Sequence, residues 1–372
     1  MSIQIPQPRY PSIDALRGIT VAFMIIVNSP GNYLTTFAPL LHAKWNGFTP
    51  TDWVFPTFLF VMGNAMAFSF GSQFQDNAKV FFSKVMKRTL IIFLLGYLMY
   101  WFPFLQKEEG VWVFKDISET RILGVLQRIA LCYGAASFIL YWGKHRGAIL
   151  FSAVALLLYW LLLVWLGDFT LEGNAVRKLD LVLLGASHLY LGDGIPFDPE
   201  GLLSTLPAIV NVLAGYLACN FIRQNGANWE TLAKLLMVGI VAIALALLWN
   251  GFLPINKKLW TSSYALYTIG LDMVMLALLV YVIEMQKYTK WTYFFNVFGK
   301  NTLFIYLLSE VGLAVFWIIP VSGKSLYEFL FADALAPLVG QYYGSFLFAF
   351  GWMMACWLIG YWMDKKTIYI KV

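Results

Sequence analysis

Apolar residues run along this chain in long blocks, and the polar positions gather between the blocks rather than alternating within them. A membrane-spanning helix needs roughly 17–25 mostly apolar residues. That length picks out ten segments: about 12–30, 52–71, 89–105, 121–142, 147–167, 204–222, 232–253, 262–285, 296–319 and 342–363. Apolar character runs round every face of them, as expected where lipid or neighbouring helices cover all sides. The pattern predicts an all-α polytopic membrane protein, a single domain over 1–372. Its longest loop, 168–203, is rich in Gly, Asp and Pro and has its own His188; such a loop folds over a site rather than dangling. The stretch Phe74 to Arg88 reads as a basic interfacial helix leading into the third span. No internal repeat is visible, so nothing points to an inverted-repeat transporter.

Composition agrees with a bilayer. Of 372 residues 60% are hydrophobic, 18% aromatic and 12% charged, against about 25% charged in soluble domains. The net charge of +6 is therefore read as basic cytoplasmic loops, not as a nucleic-acid footprint. With both termini placed inside, 16 Lys and Arg fall on the inner side and 9 on the outer. The loop with His42 and the loop 168–203 then face outward. The start of the chain is polar and proline-rich, without a cleavable signal. Cys132, Cys219 and Cys356 lie in apolar runs without paired or metal-ligand spacing and read as small core residues.

Candidate chemistry concentrates between the first two spans. The loop holds His42, Trp45, Asn46 and Asp52, a dense polar set in so apolar a chain. If Thr49 caps the second span and Pro50 begins it, Asp52 sits in the first turn. The loop can then fold back and bring the imidazole to the carboxylate. That contact would fix the His42 tautomer and raise the basicity of its other nitrogen. From spacing alone, Thr49 and Asp52 are equally well a helix cap. Asn28, at the outer end of the first span, is either an oxyanion donor or an interhelical polar contact.

Ionisable residues inside spans are functional or paired. Here they are Asp14 and Arg17 near the inner end of the first span, then Arg128, Asp272 and Glu310. Asp272 and Glu310 each lie about 15 Å into their helices at 1.5 Å per residue, and Arg128 could pair with either. There is no P-loop, GxSxG, HExxH or CxxC motif. Chemistry here has to run on an imidazole, a carboxylate and a reactive ligand.

Several stretches together resemble one family. SIDALRGITVAFMIIVN, LLHAKWNGFTPTDWVFPTFLFVMG, GVLQRIA, HLYLGDGIPFDPEGLLSTLPAI and GKNTLFIYLLSE look like the heparan-α-glucosaminide N-acetyltransferase family of transmembrane acyltransferases, in its bacterial form. The likeness runs from about Ser12 to the C-terminus. It implies an enzyme that takes acetyl-CoA from the cytoplasm and acetylates the amine of a glucosamine unit on the far side, with no metal. It implies His42 as catalytic histidine, Asp52 as its partner and Asn28 as the site asparagine. Asp14, Arg17, Gly18, Gln127 and Arg128 would lie along the CoA passage. The chain differs from the animal lysosomal enzymes in lacking their N-terminal lumenal extension and first span. That points to a plasma-membrane enzyme facing a periplasm or cell exterior, acting on a small amino sugar or glycan end, as a homodimer.

Geometry fits that implication. Arg17 to Asn28 spans about 16 Å of helix, comparable to an extended pantetheine arm. Arg17, Lys84, Lys87, Arg88 and Lys300 at the inner mouth would hold the CoA phosphates. Trp45, Asn46, Asp198 and Glu200, with Asp193, would bind the acceptor, and His188 reads as a capping or folding residue. Direct attack of the amine is favoured over an acetyl-His42 intermediate. If His42 is the base, transfer falls on acidification through about 6.5. The alternatives are an amino-sugar permease using Arg128, Asp272 and Glu310, and an O-acyltransferase of a cell-envelope glycan.

Overall fold

A computed structural model describes residues 10–73, 77–108 and 111–370. The longer helices among them are α1 (Pro11–Asn28), α2 (Pro50–Gln73), α3 (Ala78–Trp101), α4 (Val125–Leu166), α5 (Ala175–Leu183), α6 (Thr205–Asn225), α7 (Trp229–Trp249) and α8 (Ser262–Leu279), which runs on through a π-helical turn, Val280–Met285. They continue with α9 (Thr292–Lys300), α10 (Thr302–Ile318) and α11 (Gln341–Lys365). Among the described residues strands are confined to two short antiparallel hairpins. One pairs β1 (Leu105–Glu108) with β2 (Val111–Phe114), the other β3 (Pro320–Val321) with β4 (Lys324–Ser325).

The protein is a polytopic helical membrane protein. Seven of the described helices are long and apolar enough to cross a bilayer, and eight if α9 and α10 count as one broken span bent by 82°. At 42 residues α4 would be about 63 Å long, twice the ~30 Å hydrocarbon core. It breaks at Lys144, whose φ of 49° and ψ of −147° are not helical, within the polar GKHRG that parts the fourth and fifth predicted spans. Two expectations change. The basic residues 78–88 form the opening turns of α3 rather than a separate interfacial helix, while 74–76 lie outside the described residues. The third helix ends at Trp101, with β1 starting at Leu105, and α3 is not among the described helices long and apolar enough to cross a bilayer, so the third predicted span is not found as one.

Helices that must approach closely do so on glycine. A Cβ on Gly63 would strike the Val212 carbonyl, and one on Gly215 the Phe60 carbonyl, so α2 and α6 touch backbone to backbone at a reciprocal pair. The three cysteines are buried and free. α1 lies at the centre, against α2, α8, α9, α10 and α11.

Candidate active site

The His42 loop is shaped by hydrogen bonds that begin at the start of α2. Asp52 reaches back so that its Oδ2 accepts from Thr49 N–H at 2.9 Å and Ala43 N–H at 3.1 Å, with the Thr49 hydroxyl at 3.0 Å. Its Oδ1 meets His42 Nδ1 at 2.8 Å. Cap and orienting carboxylate are thus the same group, one oxygen serving each role. Tyr264 Oη donates to the Asp52 carbonyl at 2.6 Å, tying this turn to α8. Gly47 N–H donates to the Ile255 carbonyl at 2.8 Å, and Asn256 Nδ2 donates to Asn46 Oδ1 at 3.0 Å. Those bonds bring the segment before α8 across the loop and set Lys257 over the imidazole. Its Nζ lies 3.0 Å from both ring nitrogens.

Asp52 is fully buried, while His42 opens onto a cavity of about 490 Å³. Met24 and Asn28 of α1 line it, with Lys44, Arg121, Tyr190, Asp193, Glu200, Lys257, Lys258 and Trp260. The His42 pKa is held below its ordinary 6.5, first by removal from water and then by the Lys257 ammonium; Asp52 opposes both. Burial also lowers Lys257, partly offset by Asp52 and Glu200. Arg121 is clasped between the rings of Tyr100 and Tyr190, at 4.9 and 4.8 Å. It pairs with Asp198 at 2.9 and 2.7 Å and with Glu200 at 2.5 Å. Burial pushes Glu200 up, but Arg121, Arg128 and Lys257 outweigh it and keep the carboxylate ionised.

A second cavity of about 370 Å³ abuts the first, and both are walled by Phe58, Ile129 and Tyr306. Arg17, Arg88 and Lys300 line it, with Thr20 and Thr302. Arg17, Thr20, Met24 and Asn28 form one stripe of α1 that faces first the basic cavity and then the His42 cavity.

The remaining predicted residues take other places. Asp14 pairs with Arg17 at 3.5 Å. A Cβ on Gly18 would strike the Phe295 carbonyl, so Gly18 is a close contact with α9 rather than a passage wall. Lys84 is exposed on α3, and Gln127 is buried against Gly96; neither lines either of these two cavities. Arg128 pairs with neither Asp272 nor Glu310. It donates to the Gly201 carbonyl at 2.9 Å and to the Ser204 hydroxyl, and stacks on Trp260 at 5.0 Å. Asp272 accepts from Trp53 Nε1 and Thr57 Oγ1, each at 2.7 Å. Glu310 accepts from Asn28 Nδ2 at 3.0 Å. Trp45 donates to the Phe169 carbonyl at 2.7 Å and, with Asn46, fastens loops outside the cavity wall. Asp198 sits behind Arg121. His188 Nδ1–H donates to the Thr120 carbonyl at 2.8 Å, a folding contact. Lys257, Arg121 and Tyr190 were not singled out from sequence. The one available signal was the Lys257-Lys258 pair in a loop just before an apolar block.

Fold and site together define a polytopic helical membrane protein with a carboxylate-held imidazole at one end of two abutting cavities, a basic mouth at the other. The chain belongs to the heparan-alpha-glucosaminide N-acetyltransferase family, whose profile "Heparan-alpha-glucosaminide N-acetyltransferase, catalytic" matches residues 9–249. Proteins named heparan-alpha-glucosaminide N-acetyltransferase from Homo sapiens and Mus musculus are 27% and 26% identical over 363 and 362 residues. Each match covers 82% of this chain and 53% of the relative, so the chain spans about half the length of the curated relatives it matches.

Proposed function

We propose that this chain is a transmembrane acetyltransferase that moves the acetyl group of acetyl-CoA, entering at the basic cavity, to the amine of a glucosamine-type acceptor in the His42 cavity. The observation that carries this reading is the 2.8 Å contact of His42 Nδ1 with buried Asp52 at the wall of a cavity that abuts a second, basic one. With Nδ1–H given to Asp52, Nε2 is the atom left to accept a proton. The acceptor nitrogen attacks the thioester carbon as Nε2 removes its proton. The C–N bond forms, the C–S bond breaks, and the leaving thiolate takes the proton from the imidazolium. Asn28 gives one amide N–H to Glu310 and keeps the other for the developing oxyanion. Arg17, Arg88 and Lys300 suit the donor's phosphates. Glu200 suits the acceptor's ammonium, and Asp198, Trp45 and Asn46 hold its surroundings. The inner excess of Lys and Arg supports a cytoplasmic basic mouth.

The test is purified protein in detergent, where transport has no meaning, given acetyl-CoA and glucosamine. Equal formation of N-acetylglucosamine and free CoA thiol is expected, with His42→Ala slowing it about 100-fold or more. Product formation unaffected by that substitution defeats the assignment. An acceptor that is already N-acetylated separates O-transfer, because an N-acetyltransferase leaves it untouched.

A further inference from the structure

The place an acceptor amine must occupy is already filled by an amine of the chain itself. Lys257 Nζ lies over the His42 ring, 3.0 Å from Nε2 and 3.0 Å from Nδ1. Nε2 is the ring atom whose lone pair is free once Nδ1 bonds Asp52. The other lysines of this cavity are placed differently. Lys258 pairs with Asp193, and Lys44 is exposed on the rim. Among the described residues Lys257 forms no ion pair, and its hydrogen-bonding partner is the imidazole. The groups facing His42 are Asp52 from α2, Glu200 from the long outer loop and Lys257 from the segment before α8. The same carboxylates that would attract a substrate ammonium thus hold the lysine in its place.

We propose that Lys257 is a self-acetylation site: without an acceptor, its ε-amine takes the acetyl group that would otherwise pass to the sugar. This rests on the acyl-transfer reading above. The step balances as the sugar reaction does. The Lys257 ammonium gives a proton to His42 Nε2, and its lone pair attacks the thioester carbon. The new C–N bond is an Nε-acetyl amide, the C–S bond breaks, and CoA leaves as its thiol. The second ammonium proton passes to solvent. Partial burial works in the same direction, because it favours the uncharged, nucleophilic amine. The acetyl-lysine left behind has no ammonium and remains beside Nε2, so it stands in the way of the next acceptor. Chains modified in this way lose sugar turnover.

The experiment is peptide mass spectrometry of the full-length protein in detergent after incubation with acetyl-CoA alone, run beside the glucosamine assay. The expected result is acetylation of Lys257 ahead of Lys44 and Lys258, suppressed by saturating glucosamine and slowed about 100-fold in His42→Ala. Sugar acetylation lost on preincubation should match the fraction of Lys257 modified. An unmodified Lys257 in protein that acetylates glucosamine overturns this inference and leaves the acyl-transfer reading intact. Equal labelling of the three lysines, indifferent to His42→Ala, also overturns it. Absence of both labelled lysine and acetylated sugar overturns the acyl-transfer reading with it.

Discussion

His42 stands between two charges with opposite effects on its proton, with Asp52 at Nδ1 and the Lys257 ammonium over the ring, 3.0 Å from both nitrogens. Removal from water adds to the lysine, and the balance lies below 6.5. A depressed imidazole stays a free base further into acid, so the acidic limb of kcat/KM should lie below pH 6.5. Lys257→Met removes one of the two depressing causes and should move that acidic limb to higher pH. A limb that stays put would refute the electrostatic role of the lysine. Asp52→Asn should slow transfer about 100-fold or more, since the amide cannot hold Nδ1–H as a carboxylate does. The His42–Asp52 pair was legible in the sequence because ten residues and a helix start bring the two together locally. Lys257 was not, because it arrives from 215 residues away through backbone pairing at Gly47 and Ile255. Arg121 passed as one outer-loop charge, since its two carboxylates lie 77 and 79 residues on.

The long loop 168–203 is organised as an element by α5 and the DPEG turn that follows. Asp180 of α5 is buried, accepts from Leu202 N–H at 3.0 Å, and has an Oδ2 without a hydrogen-bond partner among the described residues. Burial pushes its pKa up to about 7. Because the folded value exceeds the unfolded one of 3.8, Asp180 destabilises nothing in acid. Its penalty grows as pH rises between the two values and is complete above the higher. Asp180→Asn should therefore raise the thermal unfolding midpoint at about pH 8 and change it little at about pH 4; equal shifts at both would contradict the buried charge. The break at Lys144 follows from local pattern, as the polar GKHRG there shows, whereas the start of α3 at Ala78 does not. Nor does the 82° bend between α9 and α10. Lys300 and Asn301 read like the inner end of an ordinary span, and only packing on α1 and α11 reveals the break.

Across the whole molecule, two cavities share Phe58, Ile129 and Tyr306, and one face of α1 runs from the basic cavity to the imidazole. Arg17→Ala or Arg88→Ala should raise KM for acetyl-CoA about tenfold, the worth of one charge-assisted contact of roughly 1.5 kcal/mol, with little change in kcat. An acetylated pantetheine lacking the nucleotide should be used equally by variant and parent; if the variant is impaired with both donors, the arginine does more than bind phosphate. The stripe of residues 17, 20, 24 and 28 on α1 could be read from helical spacing, whereas the opposing walls needed the fold. The most direct measurement of the account places the protein in sealed vesicles with acetyl-CoA on the side of the basic mouth and glucosamine on the side of His42. The account predicts N-acetylglucosamine on the glucosamine side and CoA thiol on the other. Product formed only when both substrates share one side would contradict it.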